Sequence, residues 1–222
     1  MRVQLIKALA ISVMPSSGLR RSLYNWVCGY DLSPTTNIGF LTLIAVKSLK
    51  TGDHVQIGML NIFKGPIEAT IGSHTRIGRQ NTFSSSWDIL SPKRAHMGYK
   101  PVLQLGEGCL VLHKHFIDIY GRFEVGDGSW IAGHGSQFWT HGISAMDRDI
   151  VIGKGNYIGT GVKFAPGARI GNSNVVGLGS VVSGKIDADQ SLISGFPAKV
   201  IRSIADDLAA GKYRFSFEDW GA

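Results

Sequence analysis

The sequence predicts an all-β fold, a parallel solenoid of triangular cross-section with short helices at both ends, and three observations lead there. From Ile152 the chain counts in sixes, "IGKGNY IGTGVK FAPGAR IGNSNV VGLGSV V", with Ile152, Ile158, Phe164, Ile170, Val176 and Val182 in one register. The same interval separates Ile71 from Ile77, Leu105 from Val111 and Ile117, and Ile119 from Val125 and Ile131. Composition agrees: 29 Gly, 7 Pro and 44% hydrophobic residues are too apolar for a disordered chain and rich in positions where a backbone can turn.

A period of six is neither 3.6 nor 2, so it fits neither an amphipathic helix nor plain strand alternation. It fits a short strand plus a corner, repeated, with the apolar residue turned inward. Three such sides make a coil of about 18 residues, and coils stack about 4.8 Å apart around a column of like aliphatic side chains.

Residues 1–33 are expected to form an N-terminal amphipathic helical segment. Leu5, Leu9 and Val13 share one helical face, as do Leu19, Leu23, Trp26 and Tyr30, and "PSSG" separates the two runs. Residues 1–30 carry Arg2, Lys7, Arg20 and Arg21 without an acidic residue, a large part of the net charge of +7. Such a segment can pack on the body as an ordinary helix or lie on an anionic membrane surface. Arg2 ahead of an apolar stretch also has the form of a weak signal peptide, although "PSSGLRRSLY" reads better as a turn and a second helix. No apolar run reaches the length of a membrane span. No aromatic-basic interleaving or groove-reading motif accompanies the charge, which sets nucleic acid aside.

Residues 34–200 carry the solenoid, interrupted at 84–101, where "SSSWDILSPKRAHMGYK" and Pro101 hold no hexad and are expected to project as a loop. Residues 201–222 are expected to form a C-terminal helix, from Ile201, Ile204 and Leu208 to Gly211, and an aromatic tail docked on the body or a neighbouring subunit. Cys28 and Cys109 show no CxxC pattern and are expected to be reduced, buried thiols.

The hexads, together with "SGFPAKVIR" at 194–202, resemble the hexapeptide-repeat acyltransferases, and within them the sugar and polysaccharide O-acetyltransferases. The resemblance covers residues 100–204 well and 38–83 loosely. It implies a left-handed parallel β-helix, a homotrimer, and acetyl-CoA as acyl donor in a groove between subunits. It also implies a cytoplasmic location, and it leaves room for contact at the inner membrane surface.

Departures from a regular pattern tend to mark functional sites. Gln137 falls where the beat asks for an aliphatic residue, a phase slip of two between Ile117 and Ile119 places Asp118 at an irregular corner, and "SAMDRD" bulges between Ile143 and Ile152. His141 stands at the mouth of that bulge. The resemblance implies a histidine in this neighbourhood as general base, taking the proton of a sugar hydroxyl as its oxygen attacks a thioester, work that imidazole suits. Asp118 and His115 are expected to support it, and His113, His134 and Trp139 to line the acceptor site. By position, Gly159, Gly177, Ser183, Lys185 and Arg202 are the expected donor contacts, although many relatives have Thr-Lys where this chain has Ser183-Gly184 and Lys185 falls one place late.

The functional expectation is therefore transfer of an acetyl group from acetyl-CoA to a sugar hydroxyl of a surface-polysaccharide, O-antigen or exopolysaccharide precursor. Three alternatives stand beside it. The acceptor can be the nitrogen of an amino-sugar nucleotide, since the fold serves both. The chain can be a non-catalytic assembly subunit. Four histidines, at 113, 115, 134 and 141, also allow a zinc enzyme like the gamma-class carbonic anhydrases, whose paired histidines are more closely spaced than His134 and His141; no metal is expected here.

Overall fold

The computed structural model describes residues 2–142 and 146–213. Ile143, and the aromatic tail beyond Tyr213, lie outside the described residues.

Three parallel sheets form the sides of a prism. The first face stacks Val102–Leu105, Arg122–Val125, Ile150–Ile152, Arg169–Ile170 and Lys185–Ile186. The second runs from Asn37–Ile38 through Leu110–His113 and Trp130–His134 to Ser191–Gly195. The third stacks Thr82–Ser84, Phe116–Asp118, Gln137–Trp139, Lys163–Phe164 and Val181–Val182. Two longer strands, Leu43–Thr51 and Ile62–Ile71, round the corner from third face to first: residues 62–64 pair with 82–84, and 68–71 with 102–105.

The six-beat residues are the core. Ile152, Ile158, Phe164, Ile170, Val176 and Val182 are all buried, with Ile71, Ile77, Leu105, Val111, Ile117, Ile119, Val125 and Ile131 continuing the columns. On the third face the column is aromatic: Phe63 stacks on Phe83 at 4.4 Å, and Phe138 on Phe164 at 5.2 Å. Buried side chains of this size contribute about 2–3 kcal/mol each relative to exposure, so the prism is held by its axis.

Gln137 is not a core residue. Phe138 fills the column, fully buried, and Gln137 points outward. The pairing of Trp130–His134 with Leu110–His113 slips between Ile131 and His134, so one extra residue enters the coil there. Gly133 sits in that bulge at φ +64°, where a Cβ would lie 1.7 Å from Thr160 Oγ1. The hydrophobic beat is intact and shifted by one.

Polar ladders line two of the inner corners. Between second and third faces, Asn61 N donates to Thr42 Oγ1, Asn81 N to Asn61 Oδ1, His115 N to Asn81 Oδ1 and Ser136 N to His115 Nδ1. Each buried amide of the turn thus finds an acceptor one coil away, avoiding a cost of about 1–3 kcal/mol per unmade bond.

At the N-terminus, helix α1 (Arg2–Ser12) and helix α2 (Ser17–Cys28) cover the open end of the prism. Ser16 caps α2 by accepting from Leu19 N. The helices dock through the predicted faces only in part, with Leu23 packed against the core and Tyr30 buried. Ala8 and Ile11 of α1 and Tyr24 of α2 are buried, whereas Leu5, Leu9, Val13, Leu19 and Trp26 are exposed. Tyr24 decides the fit of α2, its hydroxyl donating to Thr42 O and accepting from Ile44 N. Arg20 is buried as well, its guanidinium donating twice to Ile38 O, so its charge is unavailable to any external surface. Cys109 is buried and Cys28 half-buried, both as free thiols.

Two segments differ from expectation. The 84–101 segment contains short 3-10 turns, Trp87–Leu90 and Pro92–Met97, and closes back on the prism. Ile201 lies in a strand, Ala198–Ser203, antiparallel to Ser191–Gly195, and α3 is only Ala205–Ala209. The C-terminal strand caps the second face, which the spacing of Ile201, Ile204 and Leu208 could not reveal.

Candidate active site

The corner between third face and first is where the coils stop being uniform. Both insertions leave from it: 84–101 after Ser84, and 140–149 after Trp139. Asp118, Tyr120, Thr140 and His141 sit on the same edge, between them.

Asp118 is the last residue of its strand rather than a corner residue, on the outward side between inward-facing Ile117 and Ile119. It pairs with Ser84 on one side and Trp139 on the other, and the insertions cover it, so the residue is only 6% exposed. Burial pushes its carboxyl up to about 7, because a desolvated carboxylate is penalised. Its Oδ2 has no hydrogen-bond partner and lies 4.0 Å from His141 Nδ1.

His141 is held by contacts rather than by burial. Its ring stacks on Tyr120 at 4.6 Å, Tyr99 meets it edge-on at 6.3 Å, and Tyr99 packs against Tyr120 at 5.2 Å. Arg148, buried, lies over the Tyr99 ring at 4.5 Å and ties one insertion to the other. Thr140 fixes the turn: its hydroxyl donates to Asp118 O at 2.7 Å and accepts from Tyr120 N at 2.7 Å and Gly121 N at 3.1 Å. With Nδ1 toward Asp118 and the imidazole side chain 47% exposed, Nε2 is left to meet a ligand. Such an imidazole–carboxylate pair can take a proton from a hydroxyl and hold it against a buried negative charge.

His115 is not brought to this pair. It precedes the strand that Asp118 ends, at the corner between second and third faces, where its Nδ1 serves as a rung of the polar ladder. Burial lowers its pKa to about 4, so it stays neutral. His115→Asn should preserve fold and turnover within about threefold, because Asn81 already makes this bond with an amide oxygen, whereas His115→Ala should cost about 1–3 kcal/mol in urea denaturation. A large loss of turnover in the Asn variant, with stability kept, would return His115 to the chemistry.

His113 and His134 pair in register at the same distant corner, and His113 Nδ1 accepts from Arg79 N. Among the described residues His, Cys, Asp and Glu form no group of three or more that could hold a metal ion. Trp139 is exposed, its ring tilted on Phe116 at 5.0 Å, and it flanks Asp118 directly.

The expected donor contacts divide between corners. A Cβ on Gly159 would lie 2.8 Å from Leu178 N, and one on Gly177 2.7 Å from Ser194 Oγ, so the next coil uses the space both glycines leave. Ser183 and Lys185 stand on the edge that carries His141, further along the stack, with Lys185 paired to Asp147 at 2.9 Å. Arg202 pairs with Asp207 at 2.7 Å. Both cations are exposed and their pairs therefore weak, so either can leave its carboxylate for an anionic donor.

Tyr99, Tyr120, Thr140 and Arg148 were not singled out in the sequence. Tyr120 lies just after the phase slip and Thr140 just before His141, positions that could have marked them, but nothing local marks Tyr99 or Arg148, which arrive from insertions.

Comparison with known proteins fixes the architecture. No family model matches the chain. The crystal structure of the polysialic acid O-acetyltransferase OatWY superposes with a TM-score of 0.57 over 79% of this chain and 84% of that one, at 18% identity. The fold is the left-handed β-helix of the hexapeptide-repeat acetyltransferases. The crystal structure of a "putative acetyltransferase" from Bacillus cereus aligns over 82% of this chain and 83% of that one, at 21% identity and a TM-score of 0.49. In sequence, 53 residues are 45% identical to the "putative lipopolysaccharide biosynthesis O-acetyl transferase WbbJ" of Escherichia coli strain K12; that is 24% of this chain and 26% of WbbJ. The match spans about a quarter of that relative.

Proposed function

We propose that the chain is an acetyl-CoA-dependent O-acetyltransferase acting on a sugar hydroxyl of a surface-polysaccharide precursor, with His141 as general base and Asp118 as its positioning carboxylate. The single observation that carries the reading is the placement of His141 Nδ1 4.0 Å from the otherwise unpartnered, buried Asp118 Oδ2. The O-acetyltransferases OatWY and WbbJ support oxygen over nitrogen as the acceptor atom.

In this reading Nε2 of His141 takes the hydroxyl proton as the sugar oxygen attacks the thioester carbonyl carbon. The imidazolium forms against Asp118 while Tyr120 holds the ring plane, and the proton then passes to the departing thiol sulfur. The edge from His141 to Ser183 and Lys185 is the path for the donor, and a homotrimer would complete its groove.

Incubation of the protein with acetyl-CoA and a panel of oligosaccharides and sugar nucleotides, read by free thiol release, tests the reading. Acceptor-dependent release is expected, and no release with any sugar would remove it. Among the described residues no helix is long and apolar enough to cross a membrane. A cytoplasmic site of action follows from the donor. The exposed apolar face of α1, with Val3 and Ile6 both about two-thirds exposed, supports contact with an anionic bilayer. Co-sedimentation with phosphatidylserine vesicles should fall at least threefold on Ile6→Gln if α1 makes that contact.

A further inference from the structure

Beside the His141 corner lies a cavity of about 380 Å³, formed by the third face, the start of the 84–101 insertion and α1. Leu5 of α1, Lys64, Ser84, Ser85, Trp87 and Tyr120 line it. Tyr120 belongs to both places, since its other side carries the His141 ring. The volume lies within the range of small-ligand sites.

Two features show a site prepared for a polar guest. Ser85 is 5% exposed and its Oγ has no hydrogen-bond partner; buried hydroxyls in folded proteins are as a rule paired. Lys64 is the charged residue lining the cavity, exposed, with no acidic side chain paired to it among the described residues. The half-buried Trp87 adds an aromatic surface of the kind that covers the apolar side of a sugar ring.

Register places these groups relative to the reacting pair. Lys64 pairs with Ser84, and Ser84 with Asp118, so Lys64 stands two rungs below Asp118 in one outward column. Two rungs of about 4.8 Å separate their backbones by about 10 Å. That span suits one sugar ring whose hydroxyl meets His141 while an anionic substituent reaches the ammonium.

The geometry points to an acceptor subsite for an anionic sugar, with a carboxylate or phosphate bound by Lys64 and a ring hydroxyl paired to Ser85. The inference rests on the acetyltransferase reading for its orientation, and the binding of an acidic sugar stands apart from turnover. A neutral sugar gains nothing from the Lys64 charge, which is exposed and hydrated, whereas an anion forms a charge-assisted hydrogen bond there.

The test is calorimetric titration of the full-length protein with a glucuronate-containing oligosaccharide, the same oligosaccharide carboxyl-reduced, and a sugar phosphate, without acetyl-CoA. Acidic ligands should bind at least tenfold tighter than the reduced one, Lys64→Gln should erase the difference, and Lys64→Arg should keep most of it. Preference for glucuronate or for the phosphate identifies the anion. Equal binding of acidic and reduced ligands, or a Lys64→Gln variant that still discriminates, overturns the subsite. Thiol release is then measured separately: binding without transfer counts against the acetyltransferase reading and leaves the subsite standing, and transfer to neutral sugars with no acidic preference does the reverse.

Discussion

His141→Ala should lower acetyl transfer by about a hundred- to ten-thousandfold, the range that one positioned acid–base group contributes, while the fold is retained. The separation of the two effects follows from where the residue sits. The imidazole side chain is 47% exposed, and its main contact is the stack on Tyr120, so its removal opens no cavity in the columns and costs little more than about 1 kcal/mol. Circular dichroism and gel filtration should match the parent protein, with thiol release lost at every acceptor concentration. A rise in KM alone, with kcat kept, would make His141 a binding residue; unchanged turnover would remove it from the chemistry.

Much of this fold is legible in the sequence because a solenoid repeats one local decision. Each hexad states which side chain turns inward, and stacking needs nothing more, so Ile152 through Val182 and the earlier columns fall where the beat puts them. The beat misleads where one residue is inserted. Counting six from Ile131 lands on Gln137, and the bulge at Gly133, visible only through pairing with Leu110–His113, moves the inward position to Phe138. The same limit governs the site. His141 and Asp118 are marked by irregularity and resemblance, and they do meet. Proximity in the chain also suggested His115, three residues before Asp118, yet a strand lies between them and the two side chains face different corners. Tyr99 and Arg148 reach the site from long insertions whose path no local pattern specifies. The helices α1 and α2 show a third limit: periodicity finds an apolar face, while docking is decided by where Tyr24 and Arg20 find carbonyls to bond.

Asp118→Asn should act on stability and on catalysis with opposite sign. In the folded protein burial raises the Asp118 carboxyl to about 7 from an ordinary value of 3.8, so between these values the native state binds a proton that the unfolded chain has released. The Asp118 contribution to stability therefore falls as pH rises through that window and levels off above about 7, against an opposite contribution from buried His115 between about 4 and 6.5. The shift corresponds to about 4 kcal/mol of strain in the ionised form, tolerated in a covered position beside His141. An amide carries no such charge. The Asp118→Asn variant should therefore lose this contribution, its urea resistance exceeding the parent's at pH 8 by about 2 kcal/mol more than at pH 5.5. Turnover should move the other way, down about ten- to a hundredfold at pH 8, because the imidazolium formed during transfer loses its counter-charge. The acid limb of the parent's kcat/KM profile that reports Asp118 ionisation should disappear in the variant. Equal stability profiles for parent and variant would mean that the carboxyl is solvated, and a preserved acid limb that another group titrates there. The buried carboxylate is thus unfavourable for the fold, and the imidazolium formed beside it during transfer supplies the charge that offsets this.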